Sequence, residues 1–494
     1  MTTGDLGVAL PLVYVILLAA AVVVIDMIAP GRHRLVGILA AAGTLAGIAI
    51  TIASGQGGPH EAFGGAYVQD DLTTFLDVLF LAIAFLTLLY APDYLRPRNL
   101  PMAEFAATLA FAISGAMLLS AGRDLLVLFL GLELLVLPGY LLVAFAKRDG
   151  LATEGAIKYF LLGSFSSAIF LFGLALVWGF TGTTRVTAIA AVLQTVAAGG
   201  PLSPGLAMGL AFLTTGVAFK VAAVPFHYWT PDAYQGSPTP VTGYLSVGPK
   251  IAAFALILRL FVGALGPLKA DWVMVVVVLA AVTMTLGNLV ALTQSNVKRM
   301  LAYSSIAHTG YILVGLAAYA GATAGSEAEA RGLQGILVYS AAYTFMNLGA
   351  FAIVAALQRR PGVTSEIETF AGLGRRAPLA GALMALFLIS LTGIPPTAGF
   401  FAKAYVILAA IEAGGWVSVL AVLAVLNAAA AAFYYLRVVV FMYMREPPES
   451  APPLARSAEM QLGLAVAAVM TIVIPLVFPS QLIALAETAA KALL

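Results

Sequence analysis

The 494-residue sequence contains no cysteine. Disulfides, thiolate metal sites and cysteine-ligated iron–sulfur clusters are therefore excluded. Charge is also scarce: Asp, Glu, Lys and Arg together make up 10% of the residues, against about 25% in an ordinary soluble domain. The 25 Lys plus Arg nearly balance the 23 Asp plus Glu, and a net charge of +2 gives no reason to expect nucleic acid or another anionic partner. Four histidines occur, His33, His60, His227 and His308, and the first two lie outside the long apolar stretches. Haem ligation within the chain would require the other two to face each other. No Gly-x4-Gly-Lys-Ser/Thr loop is present, so nucleotide hydrolysis is not the source of power. What fills the chain instead is apolar: 62% hydrophobic residues and a mean hydropathy of +1.01. Such a composition belongs to a polytopic membrane protein.

A membrane span needs about 20 mostly apolar residues. That length picks out fourteen segments. The first seven are Leu6–Ala29, Leu35–Ala53, Leu72–Ala91, Met102–Ala121, Leu125–Ala146, Gly155–Thr181 and Leu206–Trp229. The second seven are Val241–Ala264, Trp272–Thr293, Leu301–Ala320, Leu333–Leu357, Gly381–Ile411, Trp416–Met444 and Gln461–Phe478. The first lacks a basic n-region and is too long for a signal-peptide core, so it is expected to be a retained helix. Loops after odd-numbered spans carry Arg32, Arg34, Arg96, Arg98, Lys147, Arg148, Lys298, Arg299, Arg359, Arg360, Arg375, Arg376, Arg445 and Arg456. The opposite side carries only Arg123, Arg185, Lys269, Arg331 and Lys491. The excess of basic residues places the odd loops in the cytoplasm and both termini outside.

Two spans contain breaks. Span seven reads GVAFKVAAVPFHYW around Pro225, and span twelve reads LTGIPPTAGFFAK around Pro395 and Pro396. Proline removes a backbone donor and clashes with the preceding turn, so each helix must bend or unwind there. Simple bending accounts for one such kink. Paired breaks five spans apart, each beside an ionisable residue, favour discontinuous helices in two structural repeats.

Six basic residues remain inside spans: Lys158, Lys220, Lys250, Arg259, Lys403 and Arg437. Glu133 is the deepest acid, with Asp26, Asp77, Glu104 and Glu412 nearer span ends. A lysine at a helix centre costs about 2.5–3.5 kcal/mol on insertion scales, so Lys220, Lys250 and Lys403 must pair, line water or lose their protons. Buried lysine can release its proton near neutral pH and arginine cannot, which singles out lysine as a carrier. Arg259 and Arg437, towards span ends, are expected to be anchors. Lys158, one turn inside its span, could snorkel or function. His308 could relay protons or simply bond within the core, and His227 is expected to make a polar contact at a helix end. Glu133 could be a structural counter-ion or one half of a switch. If it stood about 4 Å from Lys220, their attraction at an effective dielectric near 20 would be about 4 kcal/mol. Moving a charge against 150 mV costs about 3.5 kcal/mol, so breaking such a pair could drive a proton step.

The passage TPDAYQGSPTPVTGYLSVGPKIAAFAL, residues 230–256, closely resembles the antiporter-like membrane subunits shared by respiratory complex I and Mrp-type cation/proton antiporters. GLELLVLPGYLLVAF around Glu133, GAIKYFLLGSFSSAIFLFG around Lys158, SNVKRMLAYSSIAHTGYILVG around His308 and LTGIPPTAGFFAKAYV around Lys403 carry the same resemblance. Lysine at position 403 together with SVGPK favours the subunit N type within the family. The resemblance implies an all-α membrane protein of about fourteen transmembrane helices. Three N-terminal helices would occupy residues 1–101, two inverted five-helix repeats 102–264 and 265–444, and a last loop, helix and tail 445–494. It implies proton translocation through Glu133, Lys158, Lys220, Lys250, His308 and Lys403. Glu133 and Lys220 would form the switch, Lys250 the central relay and Lys403 the exit. No cofactor is expected in this chain; flavin, iron–sulfur clusters and quinone belong to partner subunits. Partners would be other membrane subunits of complex I and the lipid of a bacterial inner membrane, with no nucleic acid. A subunit of an Mrp-type antiporter is the alternative, and a non-pumping scaffold a third possibility.

Overall fold

In hydrocarbon every backbone N–H and C=O must find its partner within the protein, and a helix achieves this within one segment. Helix accounts for 81% of the structure, a computed structural model that describes residues 3–447, 454–455, 457–477 and 479–494. Among these residues, twelve helices are long and apolar enough to cross a membrane. Two further passes are split into half-helices: Pro204–Lys220 with Trp229–Gly236, and Pro378–Thr392 with Ala398–Ala413. Together they account for the fourteen passes expected, with both breaks at the prolines. Arg456 and Phe478, placed in a loop and at a span end by the sequence reading, lie outside the described residues.

Packing sorts the helices into an inner and an outer set. Thr239–Ala264 and Glu327–Leu357 are 100% buried over their most apolar stretch, whereas Leu10–Ile28 is 22% buried. The outer helices carry apolar stripes outward, such as Leu126, Leu130, Leu137 and Leu141 on Leu125–Val143. These residues are spaced four, seven and four positions apart, the spacing of one helix face offered to lipid or to another apolar partner. The three central lysines all lie on inner or broken helices, away from those stripes.

Several elements depart from the expected plan. A short antiparallel hairpin pairs His60–Ala62 with Tyr67–Gln69. Val186–Ala198, 13 residues long, and Pro479–Lys491 are extra helices too short to span a bilayer. Helix Gly150–Thr181 begins five residues earlier than expected, capped by Asp149, whose carboxylate accepts from Leu151 N at 2.9 Å. Lys158 therefore stands two turns inside its helix, not one. Thr239–Ile257 continues into a π-helical stretch, Leu258–Ala264, which carries Arg259.

Candidate functional site: a buried lysine axis through two helix breaks

The first break begins where Pro204–Lys220 stops. Residues 221–228 leave the helix in a series of turns, and they include a cis peptide before Pro225. Ala222 is held at φ +58°, a left-handed conformation that costs a residue with a Cβ about 1–2 kcal/mol. It is held from both sides: Ala223 N donates back to Ala218 O of the same half-helix at 2.8 Å, and Val224 N to Thr283 Oγ1 of the helix Lys269–Ala291 at 3.0 Å. The freed Val221 carbonyl accepts from Thr309 Oγ1 at 2.8 Å.

Lys220, the last residue of the half-helix, is buried, and its Nζ donates to Ser167 Oγ at 3.0 Å. Glu133 lies half-buried on the flank of Leu125–Val143, with Oε1 enclosed and without a hydrogen-bond partner. The 4 Å ion pair weighed from the sequence is absent: among the described residues Glu133 forms no salt bridge, and Lys220 bonds the serine hydroxyl instead. The two groups remain within electrostatic range of each other.

Lys250 sits one helix away, 3% exposed, with Nζ donating to Ser305 O at 2.6 Å and Thr309 Oγ1 at 3.1 Å. Since Thr309 in turn donates to Val221 O, one hydroxyl connects Lys250 to the residue beside Lys220. His308, on the same helix as Thr309, is equally buried. Its Nδ1 lies 2.7 Å from Tyr339 Oη and its Nε2 3.3 Å from Tyr435 Oη, while Tyr435 Oη also meets Ser304 Oγ. The imidazole is close enough to both Lys250 and Lys403 to feel their charges.

Lys403 completes the axis at the second break. Gly393 at φ +90° ends Pro378–Thr392, and the chain passes Pro395 and Pro396 before Thr397 opens Ala398–Ala413. From this second half-helix, Lys403 Nζ reaches back to the last carbonyls of the first, Thr392 O at 2.8 Å and Leu391 O at 3.0 Å. These carbonyls lack intrahelical donors, and the helix dipole places partial negative charge there. The ammonium also lies 4.6 Å from the centre of the Tyr311 ring, and Tyr311 stacks on Tyr339, the hydroxyl partner of His308. The half-helices can meet because Gly399 lacks a side chain: a Cβ there would overlap the Ser390 carbonyl.

Lys158 is placed differently. Its side chain is 42% exposed and held by two carboxylates, Glu154 at 2.5 Å and Asp232 at 2.6 Å; Asp232 also binds Arg299 at 2.7 Å. It joins three elements at the arginine-rich end and does not touch the central axis. Arg259 is not an interfacial anchor as expected: it is 2% exposed and grips Asp70 with two N–H groups. Arg437 does act at a helix end, donating to Leu292 O at 3.0 Å and to Gln294 O. Lys298, assigned to a loop by its neighbour Arg299, is buried within Val297–Gly321 and donates to Ser237 O at 2.6 Å. Sequence reasoning also passed over the hydroxyl groups that the axis residues bond, namely Ser167 at Lys220, Thr309 at Lys250, and Tyr339 and Tyr435 at His308. Their signal was available as polar residues inside apolar spans. Among the described residues, no cluster of three or more His, Cys, Asp or Glu could hold a metal ion.

The family model described as "NADH:quinone oxidoreductase/Mrp antiporter, TM" matches residues 122–427, the stretch that contains the whole lysine axis. A protein of Trichlorobacter lovleyi named NADH-quinone oxidoreductase subunit N is 40% identical over 99% of this chain and 98% of its own length. A chain of the respiratory complex I of Thermus thermophilus, solved with bound aureothin, is 32% identical. It superposes with a TM-score of 0.79 over 97% of this chain and 99% of that one. A chain of the Mrp complex of Dietzia sp. DQ12-45-1b, 22% identical, shares the fold with a TM-score of 0.84 over 100% and 98% of the two chains. By sequence over nearly its full length and by fold, the chain belongs to the NADH:quinone oxidoreductase/Mrp antiporter membrane family, in its subunit N branch.

Proposed function

We propose that this chain is a proton-translocating membrane subunit of a complex I-type NADH:quinone oxidoreductase, without a redox centre of its own. The observation that carries the reading is the line of three buried lysines, Lys220, Lys250 and Lys403, threaded through two helix breaks by hydroxyl groups and His308. Lysine and imidazole can each accept and release a proton. Unwound backbone supplies the polar lining that water needs at membrane depth. Buried oxygens without a protein partner, such as Asn347 Oδ1 and Tyr244 Oη, offer further bonding sites for such water.

In this reading residues 102–264 and 265–444 are inverted repeats, each with one broken helix. Glu133 and Lys220 form the switch, and the contact of Lys220 with Ser167 is its separated state. Lys250 and His308 carry the proton across the middle, and Lys403 hands it on. Lys158 belongs to the surface network of Asp232 and Arg299. Flavin, iron–sulfur clusters and quinone reside in partner subunits, whose redox chemistry supplies the energy. The arginine-rich end faces the cytoplasm of a bacterium, and both termini lie outside.

Purification of the native complex tests the assignment. Co-purifying flavin and iron–sulfur subunits support it; an iron-free assembly that exchanges cations for protons would replace it with the Mrp-type alternative. Reporter fusions at Arg148, Arg299 and Arg375 should be cytoplasmic, and at Gln56 and Gly325 external. An external reporter at Arg375 would overturn the topology.

The switch has its own test. Glu133→Gln and Lys220→Ala should each lower proton translocation, and the double variant should be little worse than either alone. Residues that act as one unit are strongly non-additive. If the two losses simply multiplied in an intact complex, the residues would act separately.

A further inference from the structure

The end of the bundle that carries Arg123 holds a second buried polar cluster, remote from the helix breaks. Asp70 caps Asp71–Leu95, accepting from Thr73 N at 2.9 Å, and also accepts from Arg259 Nη1 at 2.9 Å and Nη2 at 2.7 Å. Two further donors of Arg259 go to Ser120 O, at 2.6 Å from Nε, and to Thr73 Oγ1, at 2.9 Å from Nη2. Arg123 flanks the pair 3.5 Å from Asp70 and reaches the exposed Glu61 at 3.1 Å. Burial pushes the Asp70 carboxyl upward, but the charge and hydrogen bonds of Arg259 more than reverse this and hold it below the usual carboxylate range. Arg259 is thus committed to Asp70.

Asp77, two turns further along the same helix, is 0% exposed and receives no donor from either arginine. Its Oδ1 lies 2.5 Å from Ser120 Oγ, and its Oδ2 is buried without a partner. Ser120 Oγ is also 2.7 Å from the Met117 carbonyl oxygen. A serine hydroxyl has a single proton and a carbonyl can only accept. If that proton points to Met117 O, the contact with Asp77 needs a proton of its own, and only the carboxyl can supply it. A protonated Asp77 donating to Ser120, which donates to Met117, gives each of these two contacts its own proton and leaves a neutral carbonyl oxygen, rather than a charged one, as the unpartnered Oδ2.

The position is favourable for transport. Tyr90 Oη abuts Gly243, fixing the register of two antiparallel inner helices. Counting along each at 1.5 Å per residue, from this contact and from the Arg259–Asp70 pair, places Asp77 roughly 3–9 Å beyond Lys250 towards the Arg123 end. The exposed Glu61 stands on the first strand of the hairpin, and on the second strand Tyr67 Oη and Gln69 Oε1 are also buried and unpartnered. Tyr67 is within electrostatic range of Asp70 and Asp77.

We propose that Asp77 is a neutral carboxylic acid that serves as a proton station between Lys250 and the Arg123 end of the bundle. The inference rests on the proton-translocation reading. In each cycle the carboxyl O–H releases its proton towards the Arg123 end, leaving a carboxylate that is reprotonated from the Lys250 side.

The test is Asp77→Asn in the complete complex, reconstituted in lipid vesicles beside Lys250→Ala. Asparagine matches the neutral acid in shape and can still donate to Ser120, so assembly should equal the wild type. Redox-driven proton uptake should fall roughly 100-fold or more, the scale of a positioned proton-transfer group. Asp77→Glu should recover part of it. A deuterium-sensitive protonated-carboxyl band should be present in the infrared spectrum of the wild type and missing from Asp77→Asn. Full pumping by Asp77→Asn, or no such band, overturns the station. So does failure of Asp77→Asn to assemble where Asp77→Glu assembles, because an ionised structural carboxylate would then be required. If Lys250→Ala also pumps normally, it is the proposed function that fails.

Discussion

Lys250→Ala should remove redox-driven proton translocation while leaving the complex assembled. The ammonium group is 3% exposed and donates only to neutral oxygens, Ser305 O and Thr309 Oγ1. Among the described residues it has no carboxylate partner, so its loss strands no buried charge, the usual source of a large destabilisation. Ser305 O keeps a donor, because Ser305 lies inside the helix Val297–Gly321, where the backbone N–H four residues on bonds its carbonyl. What disappears is the titratable group that stands between the first break, which it meets through Thr309, and His308, which lies within range of its charge. Uptake in vesicles should drop by roughly 100-fold, the lower part of the range for positioned proton transfer. Lys250→Arg keeps the charge but holds its proton, and should be nearly as inactive. Lys158→Ala is the contrast. Asp232 would retain Arg299 at 2.7 Å, and Glu154 is solvent-exposed, so both translocation and assembly should change by less than a factor of about three, in line with an exposed ion pair. Equal losses at Lys158 and Lys250 would contradict the division between surface network and central axis.

Much of this architecture was legible in the residues because hydrocarbon imposes strict rules. Fourteen apolar stretches of membrane length correspond to twelve continuous helices and two broken ones, and the breaks fall at Pro225 and Pro395–Pro396. The depth of Lys220, Lys250 and Lys403 could be counted from their positions. Partnership could not. A span position fixes depth but not azimuth, and the separation of Glu133 from Lys220 depends on how two helices are rotated. The same ambiguity hid Arg259, which approaches a span end as an anchor would but turns inward to Asp70. Lys298 was misplaced because a basic pair at a helix start resembles a loop, although only Arg299 reaches the surface network. Helices of 13 residues, such as Val186–Ala198 and Pro479–Lys491, fall below the length on which the span reading relied.

At Lys403 shape and charge are entangled, and paired substitutions separate them. Its Nζ donates to the carbonyls of Leu391 and Thr392, closing the end of one half-helix from the start of the other. A purely structural cation would do the same. Lys403→Arg keeps both charge and donors, with the added bulk facing Gly393, where even a Cβ would come within 2.9 Å of the lysine Cδ. Lys403→Met keeps the length and leaves the two carbonyls without that donor, a cost of about 1–3 kcal/mol if nothing replaces it. If Lys403 is a relay, Arg assembles but loses translocation, since guanidinium does not release its proton at accessible pH. Met loses translocation too, with a modest fall in thermal stability. If Lys403 only caps the break, Arg pumps nearly as well as lysine, and Met lowers pumping only in proportion to lost assembly. Proton uptake by the purified complex in vesicles, scored beside assembly on a native gel, distinguishes the two. Full pumping by Lys403→Arg would remove Lys403 from the proton path and leave the second break a structural joint, with Lys250 and His308 as the last titratable groups on the axis.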